Sequence, residues 1–104
     1  MLLVGLAGGN TAQSWTVTFD QKVPEAWGGP TFCAMALSSG QTLSYAYDAA
    51  TVGTVLTEQS TGTQASWTNK SYTISVPANT HTVALSWFTD TSTGGLDNVK
   101  VIIN

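Results

Sequence analysis

The sequence has no arginine, a single cysteine, a single histidine and few charges of either sign. Charged residues make up 9% of the 104 residues, against about 25% in an average soluble domain. The three lysines (Lys22, Lys70 and Lys100) are scattered, whereas binding to a nucleic acid backbone needs clustered Lys and Arg. With a net charge of −3, we therefore expect no nucleic acid partner and no basic surface that binds membranes.

Long apolar runs and paired cysteines are also missing. No run approaches the roughly 18 apolar residues needed to cross a bilayer, so we expect no membrane insertion. Cys33 cannot form an intrachain disulfide, because it is the only cysteine. It lies in the apolar segment 31–37 with no base or cation close in sequence, which predicts a buried hydrophobic residue rather than a reactive thiol.

The inventory of reactive side chains does not favour catalysis. His81 is the sole histidine, and no Gly-x-Ser-x-Gly turn is present to hold a nucleophilic serine. The spacing of the carboxylates gives no sign that two of them face each other across a cleft, as glycoside hydrolysis needs. These carboxylates are Asp20, Glu25, Asp48, Glu58, Asp90 and Asp97. We therefore expect a protein that is not an enzyme.

Threonine and serine are abundant, with 17 and 10 residues, and β-branched threonine packs well on a pleated sheet. Short segments of alternating polarity, separated by Gly, Pro, Asn and Ser turns, predict eight strands and no helix. The predicted strands are 2–6, 14–20, 31–37, 42–48, 52–57, 71–76, 82–88 and 97–103. Residues 1–104 are therefore expected to form a single all-β domain, an antiparallel β-sandwich.

The last third of the chain shows the clearest alternation. Residues 77–79 supply a Pro-Ala-Asn turn between two of its strands. The residues expected to be buried in the core are Tyr72, Ile74, Val83, Leu85, Trp87, Val99 and Val101, and Val76 and Ile103 continue the same alternation.

This region resembles the closing strands of jelly-roll carbohydrate-binding modules and galactose-binding-like domains. The resemblance rests on Trp67, the Tyr-x-Ile-x-Val strand at 72–76, the Pro-Ala turn and the Leu-Asp-Asn-Val-x-Val segment at 96–101. Residues 40–49 are similar to a Gly-initiated strand of those modules, so the likeness covers about residues 31–104. It implies a jelly roll. It also implies a structural calcium ion near the last strand, held in part by Asp97. The alternative for Asp97 is that it caps a turn through backbone N–H groups.

Aromatic side chains are the candidates for ligand binding, since flat rings stack on the C–H faces of sugars. Trp15 and Trp87 alternate with aliphatic residues and are expected in the core. Trp67 matches a strand-initiating tryptophan of the resembled modules, which is usually a packing residue. Trp27 lies in the Pro/Gly-rich segment 24–30, where it is a ligand platform, an interface anchor or a plug over one end of the sandwich. Trp27, Glu25 and Trp67 are our candidate ligand or interface residues.

The first seven residues are apolar but lack the basic region of a cleavable signal peptide. We expect this segment to be an edge strand or a subunit contact, through Leu2, Leu3, Val4 and Leu6.

Two functions follow as expectations. The first is a structural or adhesive surface protein of a larger assembly, most simply a phage virion decoration, fibre or tail module. Its partners would be other subunits, in a homo-oligomer or a virion shell, and its place the virion or an extracellular surface. The alternative is a carbohydrate-binding module that binds glycans through surface aromatics. Pairing of residues 1–7 with another chain would favour the first function, and a Trp-lined groove on a closed monomer would favour the second.

Overall fold

The computed structural model of the chain describes residues 2–25, 30–41, 53–89 and 94–104, which form an all-β protein without helices. These ranges accordingly hold no helix that could span a membrane. The seven strands are β1 (Leu2–Ala7), β2 (Gln13–Val23), β3 (Thr31–Leu37), β4 (Thr54–Ser60), β5 (Gln64–Val76), β6 (Thr82–Phe88) and β7 (Gly95–Ile103).

The strands form two antiparallel sheets packed against each other, which confirms the predicted β-sandwich. One sheet has four strands in the order β1-β6-β3-β4, and the other has three in the order β5-β2-β7. The predicted strand 42–48 lies outside the described residues, so an eighth strand and the jelly-roll connectivity stay predictions.

The core lies between the two sheets and is built by strict alternation on β2. Trp15, Val17 and Phe19 are buried, while the residues between them are only partly covered. Aromatic rings join the sheets here. The ring of Phe32 on β3 lies 5.8 Å from that of Phe19 and 5.2 Å from that of Tyr72, between ring centroids. Such offset or tilted ring pairs add to the stabilisation that burial of their apolar surface supplies.

One buried polar side chain crosses the core. Gln21 continues the inward row of β2, and its Oε1 accepts a hydrogen bond of 3.0 Å from the indole Nε1–H of Trp87 on the opposite sheet. Its Nε2 donates to the carbonyl oxygens of Gly62 and Thr61, at 2.8 and 3.1 Å. Because a buried polar group without a partner is costly, these bonds allow a glutamine to lie among apolar residues. They also tie both sheets to the β4–β5 connection.

A second apolar cluster lies on the outer face of the four-stranded sheet. It comprises Cys33, Met35 and Leu37 from β3 and Ala84 from β6, all at 5% exposure or less. These residues alternate with Phe32, Ala34, Val83 and Leu85, which face the main core. Strands β3 and β6 are therefore buried on both faces, as continuous apolar runs predict. The prediction that Cys33 is a buried hydrophobic residue is confirmed.

Most predicted core positions are confirmed. Trp15, Ile74, Val76, Val83, Leu85 and Trp87 are buried, and Tyr72 and Val101 are partly buried against the same core. The turn at 77–79 is also confirmed. It joins β5 to β6, Asn79 takes a left-handed φ of 62°, and the Thr80 hydroxyl donates to the Pro77 carbonyl at 2.8 Å.

The prediction for the last strand is wrong at one position. Val99 was expected to be buried with Val101, yet it is 38% exposed. The register of β7 against β2 shifts between Thr18 and Asp20, and Asn98 opposite this shift has a φ of 53°. Such a bulge adds one residue and reverses the alternation, so Leu96 and Val101 both pack against the core. Ile103 shares the face of Val101, since it pairs with the buried Trp15, but it lies at the end of an edge strand and is 52% exposed.

Candidate functional site

The outer face of the three-stranded sheet is polar and accessible. On β5 the odd-numbered residues from Trp67 to Ser75 are exposed, while the even-numbered ones turn toward the core. The outward residues of β2 are partly covered, as the central strand of a sheet should be. We call this surface the open face. It comprises Trp67, Asn69, Ser71, Thr73 and Ser75 on β5, Ser14, Thr16, Thr18, Asp20 and Lys22 on β2, and Gly95, Asp97, Asn98, Lys100 and Ile102 on β7.

Trp67 is the aromatic side chain of the open face, and 53% of its surface is exposed. A Cβ placed on Gly95 would lie 3.1 Å from its Cη2 atom, so the indole reaches from β5 across the central strand to β7. Glycine at position 95 permits this close approach, because any side chain would push against the ring. The ring therefore lies on the sheet and offers its remaining surface to solvent.

Lys22 pairs directly with Gly95 across β2 and β7, and thus lies in the strand that the indole crosses. Its ammonium group is a hydrogen-bond donor on this part of the sheet. This end of the open face therefore combines an aromatic surface with a cation.

Asp20 lies one outward position along β2 from Lys22 and holds two amide groups in place. Its Oδ1 accepts a hydrogen bond of 3.0 Å from Asn69 Nδ2, and its Oδ2 accepts one of 2.8 Å from Asn98 Nδ2. These bonds, that of Asn98 first, lower the pKa of Asp20 below its ordinary value. The carboxylate is thus ionised over the whole neutral and mildly acidic range. Each of its oxygens retains capacity to accept a further hydrogen bond from a ligand.

Asp97 is directly opposite Asp20 in the register of β2 and β7. Two carboxylates therefore lie on neighbouring strands of the open face. Asp97 Oδ1 also accepts the backbone N–H of Asn98 at 2.8 Å, and each oxygen of Asp20 accepts one amide hydrogen bond. Calcium needs six to eight oxygen ligands, and the described residues contain no cluster of three or more His, Cys, Asp or Glu side chains suited to a metal. Asp20 and Asp97 alone supply fewer oxygens than calcium needs, and the calcium site stays a prediction.

The other predicted site residues lie apart from this cluster or outside the described chain. Glu25 is exposed two residues after β2 ends, and Trp27 lies outside the described residues. Leu2, Leu3, Val4 and Leu6 belong to β1, at the edge of the four-stranded sheet. This confirms the expected edge strand, whereas the subunit contact stays a prediction. Val4 and Leu6 pack partly against the core.

The opposite end of the sandwich from Trp67 carries two shallow depressions of about 350 and 370 Å³. Both involve Ser38, Asn79 and Thr80, and the described residues that line them include no Trp, Tyr or Phe. They offer hydroxyl and amide groups without a stacking surface. The Cys33 thiol is equally poor as a reactive site, because burial and then the charge of Glu58 raise its pKa to about 11.

Sequence reasoning named Trp67 but missed the residues around it. Asp20 and Asn98 are 78 residues apart in the chain, and Asp20 and Asn69 are 49 apart. Only strand register brings them together. The signal that was available is local: in Trp67-Thr68-Asn69, the tryptophan and asparagine must share a face of any strand.

Comparison with protein-family models, with curated proteins and with solved structures finds no match to this chain. The resemblance to carbohydrate-binding modules thus stays an expectation, and the geometry of the open face is the remaining guide to function.

Proposed function

We propose that this chain is a non-catalytic adhesive module that binds glycans on its open face. The observation that carries this proposal is Trp67, a half-exposed indole lying across the sheet beside a cluster of amide and carboxylate groups. Half of the indole surface is not used in packing, so it remains available to stack on a ligand.

The chemistry of the open face matches that of a sugar ring. The apolar C–H face of a pyranose stacks on an indole, while its hydroxyl groups donate to carboxylates and accept from amides and ammonium groups. Asp20 and Asn98 lie next to the tryptophan along the sheet, and Lys22 lies in the strand that its ring crosses. Charges of both signs are present, which favours neutral sugars over strongly anionic ones.

Calorimetric titration of the folded protein with neutral hexose and N-acetylhexosamine oligosaccharides tests this function. Trp67→Ala should lose about 2 kcal/mol of binding free energy, or roughly 30-fold in Kd, as expected for an aromatic hot spot. Gly95→Ala keeps the ring but pushes on its Cη2 atom, so its loss of affinity should be smaller.

The matched control is Thr54→Ala, an exposed position on β4 in the other sheet. It should bind like the parent. Adding a calcium chelator to the same titration checks whether a metal ion contributes. Equal affinity of the parent and Trp67→Ala would refute the open face as the site, and so would failure of every sugar in the panel to bind the parent.

A second candidate function is a structural subunit of a larger assembly, such as a virion shell. The observation that favours it is β1, an uncharged apolar strand at the edge of a sheet. Backbone groups on such an edge are available to pair with another chain. The two functions are compatible, because β1 and the open face belong to different sheets.

A further inference from the structure

Four strands lie at the sheet edges of the described chain, namely β1, β4, β5 and β7. An edge strand presents unpaired backbone N–H and C=O groups and so invites pairing with another chain. Natural proteins prevent this with charged side chains, prolines or bulges on the edge. The four edges can therefore be compared for these features.

Three of the edges carry both a charge and an irregularity. Strand β4 contains Glu58, and its pairing with β3 shifts between Ala34 and Met35. Strand β5 contains Lys70, and its register against β2 shifts after Gln21. Strand β7 contains Lys100 and Asp97 and has the bulge at Asn98. Each of these edges is thus poorly suited to regular pairing.

Strand β1 has neither feature. Its sequence is Leu-Leu-Val-Gly-Leu-Ala, with no charge and no proline, and its pairing with β6 runs from Leu2 to Ala7 without a shift. No strand of the described residues covers its other side. Gly5 and Ala7 are exposed and small, so an approaching strand would meet little steric resistance.

We propose that β1 pairs antiparallel with β1 of a second copy of this chain, joining two four-stranded sheets into one of eight strands. This rests on the second candidate function and names its partner. Because β1 carries no charge, two copies of it do not repel each other when they pair. A single two-fold contact also covers the free edge of β1 in both copies. A register that keeps Val4 and Leu6 on the inner side in both copies also makes the two apolar layers continuous.

The contact should be weak and concentration-dependent. Strand β1 has six residues, whereas a standard stable interface has about 20–30 residues on each side. Pairing of this size belongs with transient interfaces rather than obligate ones. The dimer should therefore appear at high and vanish at low micromolar concentration.

Sedimentation velocity over a wide concentration range tests the proposal with the full chain. The parent should shift from monomer to dimer as concentration rises. Gly5→Lys and Ala7→Lys, which put an edge lysine on β1, should each weaken association by at least about tenfold. Thr73→Lys adds the same charge to the edge strand β5 and should associate like the parent.

Circular dichroism melts show which variants fold, and either β1 variant suffices if the other does not. A parent that stays monomeric throughout overturns self-pairing, as does unchanged association of a folded β1 variant. Neither result touches the glycan proposal, because Gly5→Lys leaves the open face intact and should bind sugar like the parent. Loss of sugar binding in Trp67→Ala, in turn, says nothing about β1.

Discussion

The outer face of the four-stranded sheet is apolar and buried, whereas the outer face of the three-stranded sheet is polar and open. Met35 and Leu37 on the first are at most 2% exposed, while Trp67 on the second is 53% exposed. The residue patterns of the strands explain this difference. Strands β3 and β6 are apolar on both sides, and β2 and β5 alternate. Surface for binding a ligand is thus available on one sheet, and the other sheet contributes an accessible edge.

The largest effect should come from truncating the apolar outer face. Met35→Ala removes a side chain at 1% exposure and should destabilise the protein by about 2–5 kcal/mol, through lost burial and the cavity left behind. Thr73→Ala, an exposed position on the open face, should change stability by less than about 0.5 kcal/mol. Chemical denaturation of both variants measures the difference. A cost below about 1 kcal/mol for Met35→Ala would mean that its face is loosely packed, and the contrast between the two faces would fail.

A smaller effect should come from the polar bridge between the sheets. Gln21→Leu keeps the volume of the side chain but leaves the Nε1–H of Trp87 buried without its acceptor. Leaving one such group unsatisfied costs about 1–3 kcal/mol, so the urea midpoint should fall accordingly. The double variant with Trp87→Phe removes both partners, and its cost should be less than the sum of the single costs.

Additive costs in this double-mutant cycle would show that the two side chains do not interact. The hydrogen bond between Gln21 and Trp87 is a buried polar link between two sheets that otherwise meet through apolar and aromatic side chains. This double-mutant cycle therefore measures how strongly that link couples the two sheets.

Local alternation predicted much of the core but little of the site. Ile74, Val83 and Leu85 are buried as expected, since alternation with a period of two identifies the inward face of each strand. Val99 was misplaced because Asn98 and Val99 together oppose a single residue of β2, and this bulge takes Val99 out of the regular alternation. The sequence Asp97-Asn98-Val99 alone does not distinguish such a bulge from a regular strand.

The open face depends on information that alternation does not contain. The strand was predicted to begin at residue 71, and Trp67 was matched to a tryptophan that initiates a strand. In the structure β5 begins at Gln64, and Trp67 lies within it. The partners of Trp67 come from β2 and β7, and which residues become neighbours depends on the register of pairing between distant segments. Register is set by the whole sheet and its bulges, and one strand alone does not determine it.

The smallest expected effect is a loss of stability at acidic pH. It tests whether the Asp20 carboxylate and its two amide partners form a hydrogen-bonded cluster on the open face. Hydrogen bonds from Asn98 and Asn69 hold the pKa of Asp20 below its ordinary value of 3.8 in the folded protein. A lowered pKa contributes stability at any pH above 3.8, and this contribution is lost as the pH falls through the folded-state value. The effect is small because the group is solvent-accessible.

Stability of the parent relative to Asp20→Asn should therefore be constant from pH 7 to about pH 5 and decline only below the ordinary pKa of an aspartate, near 4. Thermal melts at closely spaced pH values measure this difference curve. Glu58→Gln removes a charge from the other sheet and should keep the acid dependence that Asp20 gives the parent. A difference curve for Asp20→Asn that already declines between pH 7 and pH 5 would contradict the carboxylate–amide cluster. Sugar binding should persist further into acid and weaken only as the pH falls through the lowered folded-state pKa, because a protonated Asp20 can no longer accept from both a protein amide and a ligand hydroxyl at each of its oxygens.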